Sequence, residues 1–241
     1  WMKIYCEARY GGYPDAMEEA WKLFRKTAYS SLYSYPRFTW QTVVPDQRRI
    51  SKIDLSDDYL QAIRLYASCA DELKSSELYR NDLIEFVSYY VAAKAENFYK
   101  QALKDDSENR VLAAQRNLQQ TVDLLMDVDR LLASHPLYRL EEWVEFARNS
   151  GTTLQEKDAY EANAKRLITS WGGIQEDYAA RFWSGLIKDY YIPRIQLYFT
   201  KDRNKIREWE EQWITSPWSN STTPFDDPVK AALSLIEKTN K

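Results

Sequence analysis

Apolar positions recur every three to four residues over most of the chain, which is the spacing of amphipathic helices. The residues that begin each run support this interpretation. Pro14-Asp15 begins the first predicted helix, and Ser56 is a typical N-cap for the second. The third runs from near Glu77 to Leu103, about seven turns of roughly 3.6 residues each. The pattern therefore predicts an all-α fold, an irregular bundle of roughly eight to nine helices.

The fourth predicted helix carries a heptad pattern. It follows Asp105-Asp106-Ser107 and ends before His135-Pro136, and its apolar residues at intervals of seven are Val111, Leu118, Leu125 and Leu132. A heptad of this length predicts packing against a neighbouring helix, and the third helix is the best candidate. We therefore expect a long antiparallel helix pair.

The remaining helices follow from their end signals. A short fifth helix stops before Gly151, and Thr153 with Glu156 forms a capping box for the sixth. A seventh is predicted to begin near Ile174 and to be kinked by Pro193. An amphipathic helix is predicted after Lys201, and Asp227-Pro228 begins the last one. The whole chain is predicted to be one all-α domain, with a main bundle over 1–215, a loose loop over 216–228 and a terminal helix over 229–241.

Residues 30–55 interrupt the helical rhythm with aromatic and basic side chains. A long loop of this kind is usually functional or packed against a partner. The net charge of −3 makes docking onto protein a better interpretation than binding to nucleic acid. If the domain covers a partner, we expect Tyr33, Phe38 and Trp40 to be exposed in the isolated chain.

Composition limits the classes of protein to which the chain can belong. With 241 residues and 44% hydrophobic content, the chain is long enough to bury a full core. No apolar run approaches the roughly 20 residues that span a bilayer. Cys6 and Cys69 are too far apart to indicate a disulfide framework, and Cys69 is expected to be a buried thiol. The lone His135 is expected to cap carbonyl groups rather than bind a metal, and no cofactor is expected.

The chain lacks a convincing catalytic constellation. Hydrolysis by a pair of acidic residues needs two carboxyl groups about 5–10 Å apart across the bond that is cleaved. The acidic pairs here are adjacent in sequence, and adjacent helical residues point about 100° apart. These pairs are Asp57-Asp58, Glu141-Glu142 and Glu210-Glu211. Glycine-rich phosphate loops and the common hydrolase and metal motifs are also missing. The sequence predicts no catalytic residue in this chain.

One stretch stands out as a candidate binding site. Gly172-Gly173 is predicted to end the sixth helix, which places Trp171 and Tyr178 on either side of a helix-to-helix corner. Two amphipathic aromatic residues at one corner make either a ligand-sized wall or ordinary corner packing. In the first case both side chains face outward toward one groove.

A resemblance favours the first interpretation. The sequence reads Trp171-Gly172-Gly173, then Asp177-Tyr178-Ala179, then Leu186 and YYIPR at 190–194. It resembles the WG…DYA…L…YYxPR signature in the C-terminal helical domain of glycoside hydrolase family 89, the α-N-acetylglucosaminidases. The likeness runs from about Arg9 to Phe199, and its further matches are Arg9-Tyr10-Gly11, Thr27-Ala28-Tyr29 and Leu131-Leu132-Ala133-Ser134 followed by Leu140 and Trp143.

The resemblance carries several implications. In family 89 the two catalytic glutamates lie on a preceding (β/α)₈ barrel, so this chain, which opens at Trp1 without a leader, would be a piece that follows that barrel. The helical domain packs on the barrel and lends residues to the pocket for a terminal N-acetylglucosamine. The residues carried over are Trp171 and Tyr178. Gln175 is a further candidate for substrate binding, because it stands where animal members present an apolar residue near the sugar, in a segment shorter than theirs.

The same family membership would imply a secreted, periplasmic or lysosomal location. The pocket would accept the terminal sugar of heparan sulfate fragments or of mucin-type glycans. The alternative interpretation is a free-standing helical module that binds carbohydrate or protein without catalysis.

Overall fold

The computed structural model describes residues 1–29, 38–42, 56–171, 179–200 and 202–239. Over these residues the chain forms eleven α-helices and no strand. The α-helices are α1 Met2–Tyr10, α2 Asp15–Lys26, α3 Asp57–Ser68, α4 Ala70–Leu73, α5 Glu77–Ser107, α6 Val111–Leu132, α7 Leu140–Asn149, α8 Leu154–Leu167, α9 Ile192–Tyr198, α10 Arg203–Thr215 and α11 Pro228–Lys238. The all-α class is confirmed, and the count exceeds the prediction because α1 and the one-turn α4 lack clear periodicity in the sequence.

Helices α5 and α6 form the centre of the fold. Asp105 near the end of α5 accepts hydrogen bonds from Arg110 Nε at 3.0 Å and from Asn117 Nδ2, on α6, at 2.8 Å. Between the helices Asn109 adopts φ 59°, a left-handed conformation that asparagine tolerates better than most residues. Further along, the Thr121 hydroxyl donates to the Ala95 carbonyl at 3.5 Å. These contacts join α6 to α5 at two levels, and of the heptad residues Leu125 and Leu132 are buried whereas Val111 is exposed.

The aromatic segment 38–42 is buried, so the predicted exposure of Phe38 and Trp40 is wrong. Their side chains are 1% and 0% exposed. The backbone N–H of Thr39 donates to both oxygens of buried Glu96 at 2.9 Å, and Arg194 Nη2 donates to the Gln41 carbonyl at 2.7 Å. The aromatic residues of the segment 38–42 are therefore packed inside the domain and do not form an exposed surface. Tyr33 lies outside the described residues.

The predicted seventh helix is wrong over its central part. Residues 180–183 are not helical, and Ser184 exchanges backbone hydrogen bonds with Tyr138 and Leu140 at 2.8 and 3.0 Å. Helical structure begins with a π-helical turn, Ile187–Tyr191, which continues directly into α9. Pro193 is the second residue of α9, so the helix widens in front of the proline, where a hydrogen bond is lost.

A carboxylate from another helix explains this late start. Asp129 on α6 accepts the backbone N–H of Gly185 at 2.8 Å and that of Lys188 at 3.0 Å. It therefore acts as an N-cap supplied from 59 residues away. Trp183, which a continuous seventh helix with apolar residues on several sides would place in the core, lies just before this start and is half-buried.

The hairpin between α7 and α8 depends on a close approach at Gly151. A Cβ atom at this position would lie 2.7 Å from the backbone nitrogen of Lys157. The capping box is confirmed, because the Glu156 N–H donates to Thr153 Oγ1 at 3.1 Å and the Thr153 N–H donates to Glu156 Oε2 at 3.0 Å. Only glycine lets the chain pass the capped first turn of α8.

Arg194 is a buried cation that contacts several parts of the chain. It is 2% exposed, and its Nη1 lies 3.1 Å from both Glu210 Oε1 and the Tyr190 hydroxyl. The Tyr190 hydroxyl donates to the same carboxylate oxygen at 2.8 Å. Because Arg194 also holds the Gln41 carbonyl, one side chain joins α9, α10 and the segment 38–42.

We expect Arg194→Met to lower the free energy of unfolding by about 3–5 kcal/mol, because among the described residues it leaves buried Glu210 only the longer ion pair to the exposed Arg207 at 3.8 Å. The matched control is Arg166→Met, which removes a largely exposed pair with Glu211 and should cost at most about 1 kcal/mol. Urea denaturation checks both values. The double variant Arg194→Met, Glu210→Gln should be more stable than Arg194→Met alone, because it removes the buried negative charge as well. Equal losses of unfolding free energy for Arg194→Met and Arg166→Met would contradict the assignment.

The capping box predicts a pH dependence. Hydrogen bonds from Thr152 and Thr153 lower the pKa of Glu156 from 4.5 to about 2 in the folded chain. A depressed folded pKa contributes stability above the unfolded value and loses it as pH falls toward the folded one. The stability difference between the parent and Glu156→Gln should therefore be constant above about pH 5 and shrink as pH falls from 4.5 toward 2. Thermal unfolding across this range measures it, and a pH-independent difference would overturn the assignment.

Candidate functional site

Trp171 lies on the turn that follows α8. Its backbone N–H donates to the Arg166 carbonyl at 3.0 Å, so the chain folds back over the end of the helix. All nine tryptophans fall within the described residues, and the two with the most exposed side chains are Trp1 at 84% and Trp171 at 47%. The outward orientation expected for Trp171 agrees with this exposure. A role in binding stays a prediction.

The end of α8 that carries Trp171 is fixed to α10. Lys165 is 1% exposed, and its ammonium group donates to the Trp213 carbonyl at 2.9 Å and to the Ser216 carbonyl. Burial lowers the pKa of Lys165, and nearby Glu161 opposes that shift. Arg166 adds two hydrogen bonds to Glu211 at 2.7 and 2.8 Å. Trp171 is therefore presented from a rigid base.

The other two sequence-predicted site residues, Tyr178 and Gln175, lie outside the described residues. The chain resumes at Ala179, and the Arg181 N–H donates to the Tyr191 hydroxyl at 3.2 Å. The Phe182 ring then lies 5.8 Å from that of Phe38, between ring centroids. The part that follows the predicted corner is thus packed on the buried segment 38–42.

The acidic pairs considered for catalysis serve the fold. Glu210 is buried against Arg194, Glu211 pairs with Arg166, and Glu141 pairs with Arg139. Asp57 and Asp58 lie in the first turn of α3, whose N-cap is Ser56 as predicted. Among the residues with described positions, no three His, Cys, Asp or Glu side chains are grouped as metal ligands.

His135 and the cysteines occupy buried positions. His135 Nδ1 accepts the Leu137 N–H at 3.1 Å, so it caps an N–H group and not the predicted carbonyl groups. Burial lowers the pKa of His135 and raises the pKa of both Cys6 and Cys69 to about 11. Both cysteines are free thiols, which confirms the interpretation of Cys69.

Sequence reasoning missed the buried carboxylates that organise this half of the molecule. Asp129 and Glu161 are 0% and 2% exposed, and each accepts hydrogen bonds from the segment that follows α10. The donors from that segment lie 93 and 57 residues away, so the sequence around each carboxylate does not identify them, although Glu161 also pairs with Lys165 one turn along α8. Nothing in the described helices has the length and apolar character that a membrane crossing requires.

Comparison with known proteins points to one family. The family model described as the alpha-N-acetylglucosaminidase (NAGLU) C-terminal domain matches residues 1–238. Human alpha-N-acetylglucosaminidase is 28% identical over 214 residues, which cover 82% of this chain and 28% of the human protein.

Solved structures agree in fold. A family 89 glycoside hydrolase from Clostridium perfringens in complex with PUGNAc superposes with a TM-score of 0.84 at 22% identity, over 98% of this chain and 31% of that one. A variant of the Clostridium perfringens enzyme with two Glu→Gln substitutions, in complex with its substrate GlcNAc-alpha-1,4-galactose, gives the same TM-score, identity and coverage. The chain thus spans less than a third of these relatives. With the family model matched over nearly its whole length, the chain belongs to the C-terminal domain family of the glycoside hydrolase family 89 alpha-N-acetylglucosaminidases.

Proposed function

We propose that this domain packs on a catalytic (β/α)₈ barrel in the same polypeptide and that Trp171 and Tyr178 border the pocket for a terminal α-linked N-acetylglucosamine. The observation that carries the proposal is the 47% exposure of Trp171 on a helix end that is otherwise held by buried hydrogen bonds. The family match supports the enzyme context. By the same family relation, the enzyme acts in a secreted, periplasmic or lysosomal setting.

The physical role of Trp171 follows from its rigidity. An indole ring offers a large flat apolar surface, against which the C–H face of a sugar ring can stack. Lys165 and Arg166 fix the end of α8, so the turn that carries the ring starts from a fixed point, which would reduce the ordering entropy lost when a sugar meets the ring. A side chain held in this way supports the geometry that catalytic groups on a neighbouring domain use. Tyr178 adds a hydroxyl group to the same wall, and Gln175 lies between them in sequence.

The proposal assigns the chemistry to the part of the enzyme outside this chain. The chain spans 28% of the human relative, so most of such an enzyme lies beyond it. The largely buried carboxylates Glu96, Asp129 and Glu210 are engaged by Thr39, Gly185 and Arg194. Each of these carboxylates therefore has a partner within the fold of this domain.

We also infer that α5 and α6 run antiparallel, as the heptad pattern predicts. Asp105 contacts Asn117, whereas Ala95, ten residues earlier on α5, contacts Thr121, which is later on α6. In an antiparallel pair, contacting residues have rising numbers on one helix and falling numbers on the other, as these contacts do. This pair would give the domain a stiff axis against which a barrel can pack.

The first prediction from this function is that the purified 241-residue chain does not hydrolyse an aryl α-N-acetylglucosaminide, because the acid and the nucleophile lie on the barrel. Release of the aryl alcohol measures this directly. The intact enzyme serves as the positive control. Turnover by the isolated chain that disappears when one of its own carboxylates is changed would refute the proposal.

The second prediction concerns Trp171 in the intact enzyme. Trp171→Ala should lower kcat/KM by the equivalent of about 1–3 kcal/mol, the value of losing one ring stacked on substrate. Tyr160→Ala is the matched control, because Tyr160 lies on α8, the helix that precedes the turn with Trp171, and is 44% exposed. It should leave kcat/KM unchanged.

Stability separates the two interpretations of Trp171. Trp40→Ala opens a cavity in the core and should lower the free energy of unfolding by about 3–5 kcal/mol, whereas Trp171→Ala should cost much less. If Trp171→Ala unfolds the domain while kcat/KM per folded molecule is unchanged, the residue is corner packing and the proposed binding role is wrong.

A further inference from the structure

A groove of about 560 Å³ lies between α7 and residues 218–221. Its volume falls in the range of about 300–1,000 Å³ that small-ligand sites occupy. Glu145, Arg148 and Asn149 line it from α7. Trp218, Ser219 and Ser221 line it from the opposite side. The groove lies on α7, apart from the turn after α8 that carries Trp171.

The wall at 218–221 is held in place, although the sequence predicted a loose loop there. The Trp218 backbone N–H donates to buried Glu161 at 2.5 Å, and its indole N–H donates to Asp189 at 3.0 Å. A Cβ atom at Gly185 would lie 3.0 Å from the Trp218 ring, so the indole packs directly on that glycine. Thr222 then donates to Asp129 at 2.6 Å. The groove is therefore bounded by a fixed wall.

The α7 wall supplies both donors and an acceptor. Arg148 Nη1 donates to Asp158 at 2.8 Å and to Glu161 at 2.6 Å, which fixes the guanidinium plane. Within the described part of the chain, its Nε and Nη2 have no acceptor. Glu145 is exposed one turn earlier and has no ion-pair partner among those residues. Asn149 adds an amide that can donate and accept.

The charged groups that line the groove indicate which class of ligand it can bind. A free anion would face the carboxylate of Glu145 and that of Glu141, which also lines the groove and pairs with Arg139. A free cation would face the guanidinium of Arg148, so neither is favoured. Sugar hydroxyl groups both donate and accept, and they match alternating carboxylate, amide and guanidinium groups beside an aromatic side chain. We propose that this groove binds a neutral sugar unit of an oligosaccharide, as a second carbohydrate site separate from Trp171.

The site does not depend on the proposed pocket for the terminal sugar. Its residues come from α7 and from the segment after α10, and it needs no group from a catalytic domain. It would hold a part of a glycan that is not the residue being cleaved, or a neighbouring chain of the same polysaccharide.

Saturation-transfer NMR and calorimetry on the 241-residue chain test the site, with galactose, N-acetylglucosamine and GlcNAc-alpha-1,4-galactose as probes. The variant is Glu145→Ala, Asn149→Ala, which changes two exposed helical positions and should leave the circular dichroism spectrum intact. We expect the parent to bind at least one probe and the double variant to bind it at least about tenfold more weakly, as expected for lost hydrogen bonds to a charged group.

The matched control is Glu142→Ala, because Glu142 is exposed on α7 and does not line the groove. It should bind as the parent does, and so should Trp171→Ala. Binding that survives the double variant but disappears in Trp171→Ala would overturn this site and support the pocket proposed above. No binding of any probe, or binding of inorganic phosphate in preference to sugars, would also overturn it.

Discussion

The buried guanidinium of Arg194 holds together parts of the chain that are far apart in sequence. It contacts the Gln41 carbonyl 153 residues away and Glu210 16 residues away. A buried charge is stable only when its partners are in place, so the segment 38–42, α9 and α10 must be ordered together. This constraint also buries Trp40, whose ring packs against Tyr191 with 5.5 Å between centroids.

The elements that could be predicted from sequence carry their own end signals. Ser56 accepts a hydrogen bond from the Tyr59 N–H, Thr153 with Glu156 forms a capping box, and Asp227 accepts from the Lys230 N–H. Each of these interactions spans only three residues, so local chemistry decides it. The heptad of α6 predicted packing against a neighbouring helix, and Leu125 and Leu132 are buried whereas Val111, at the start of the pattern, is exposed.

The predictions from sequence were wrong where a side chain distant in sequence, and not a neighbouring residue, determines the local structure. Asp129 caps the helical start at Gly185, and Glu96 covers the Thr39 backbone, so neither could be deduced from neighbouring residues. For the candidate site, the sequence predicted that the sixth helix ends at Gly172-Gly173, whereas α8 ends at Leu167 and Trp171 lies exposed on the turn that follows. The motif around Tyr178 and Gln175 was needed to suggest a ligand, because exposure alone does not identify one.

Gly151 restricts how this half of the domain can vary in evolution. Any other residue would place a Cβ atom against the Lys157 backbone and force the first turn of α8 away from α7. Arg148 would then no longer reach Asp158 and Glu161, and Glu161 would lose its position under Trp218. The absence of a side chain at residue 151 therefore sets the distance between α7 and α8. Through these helices it also sets the position of Trp218, which lies 67 residues further along the chain.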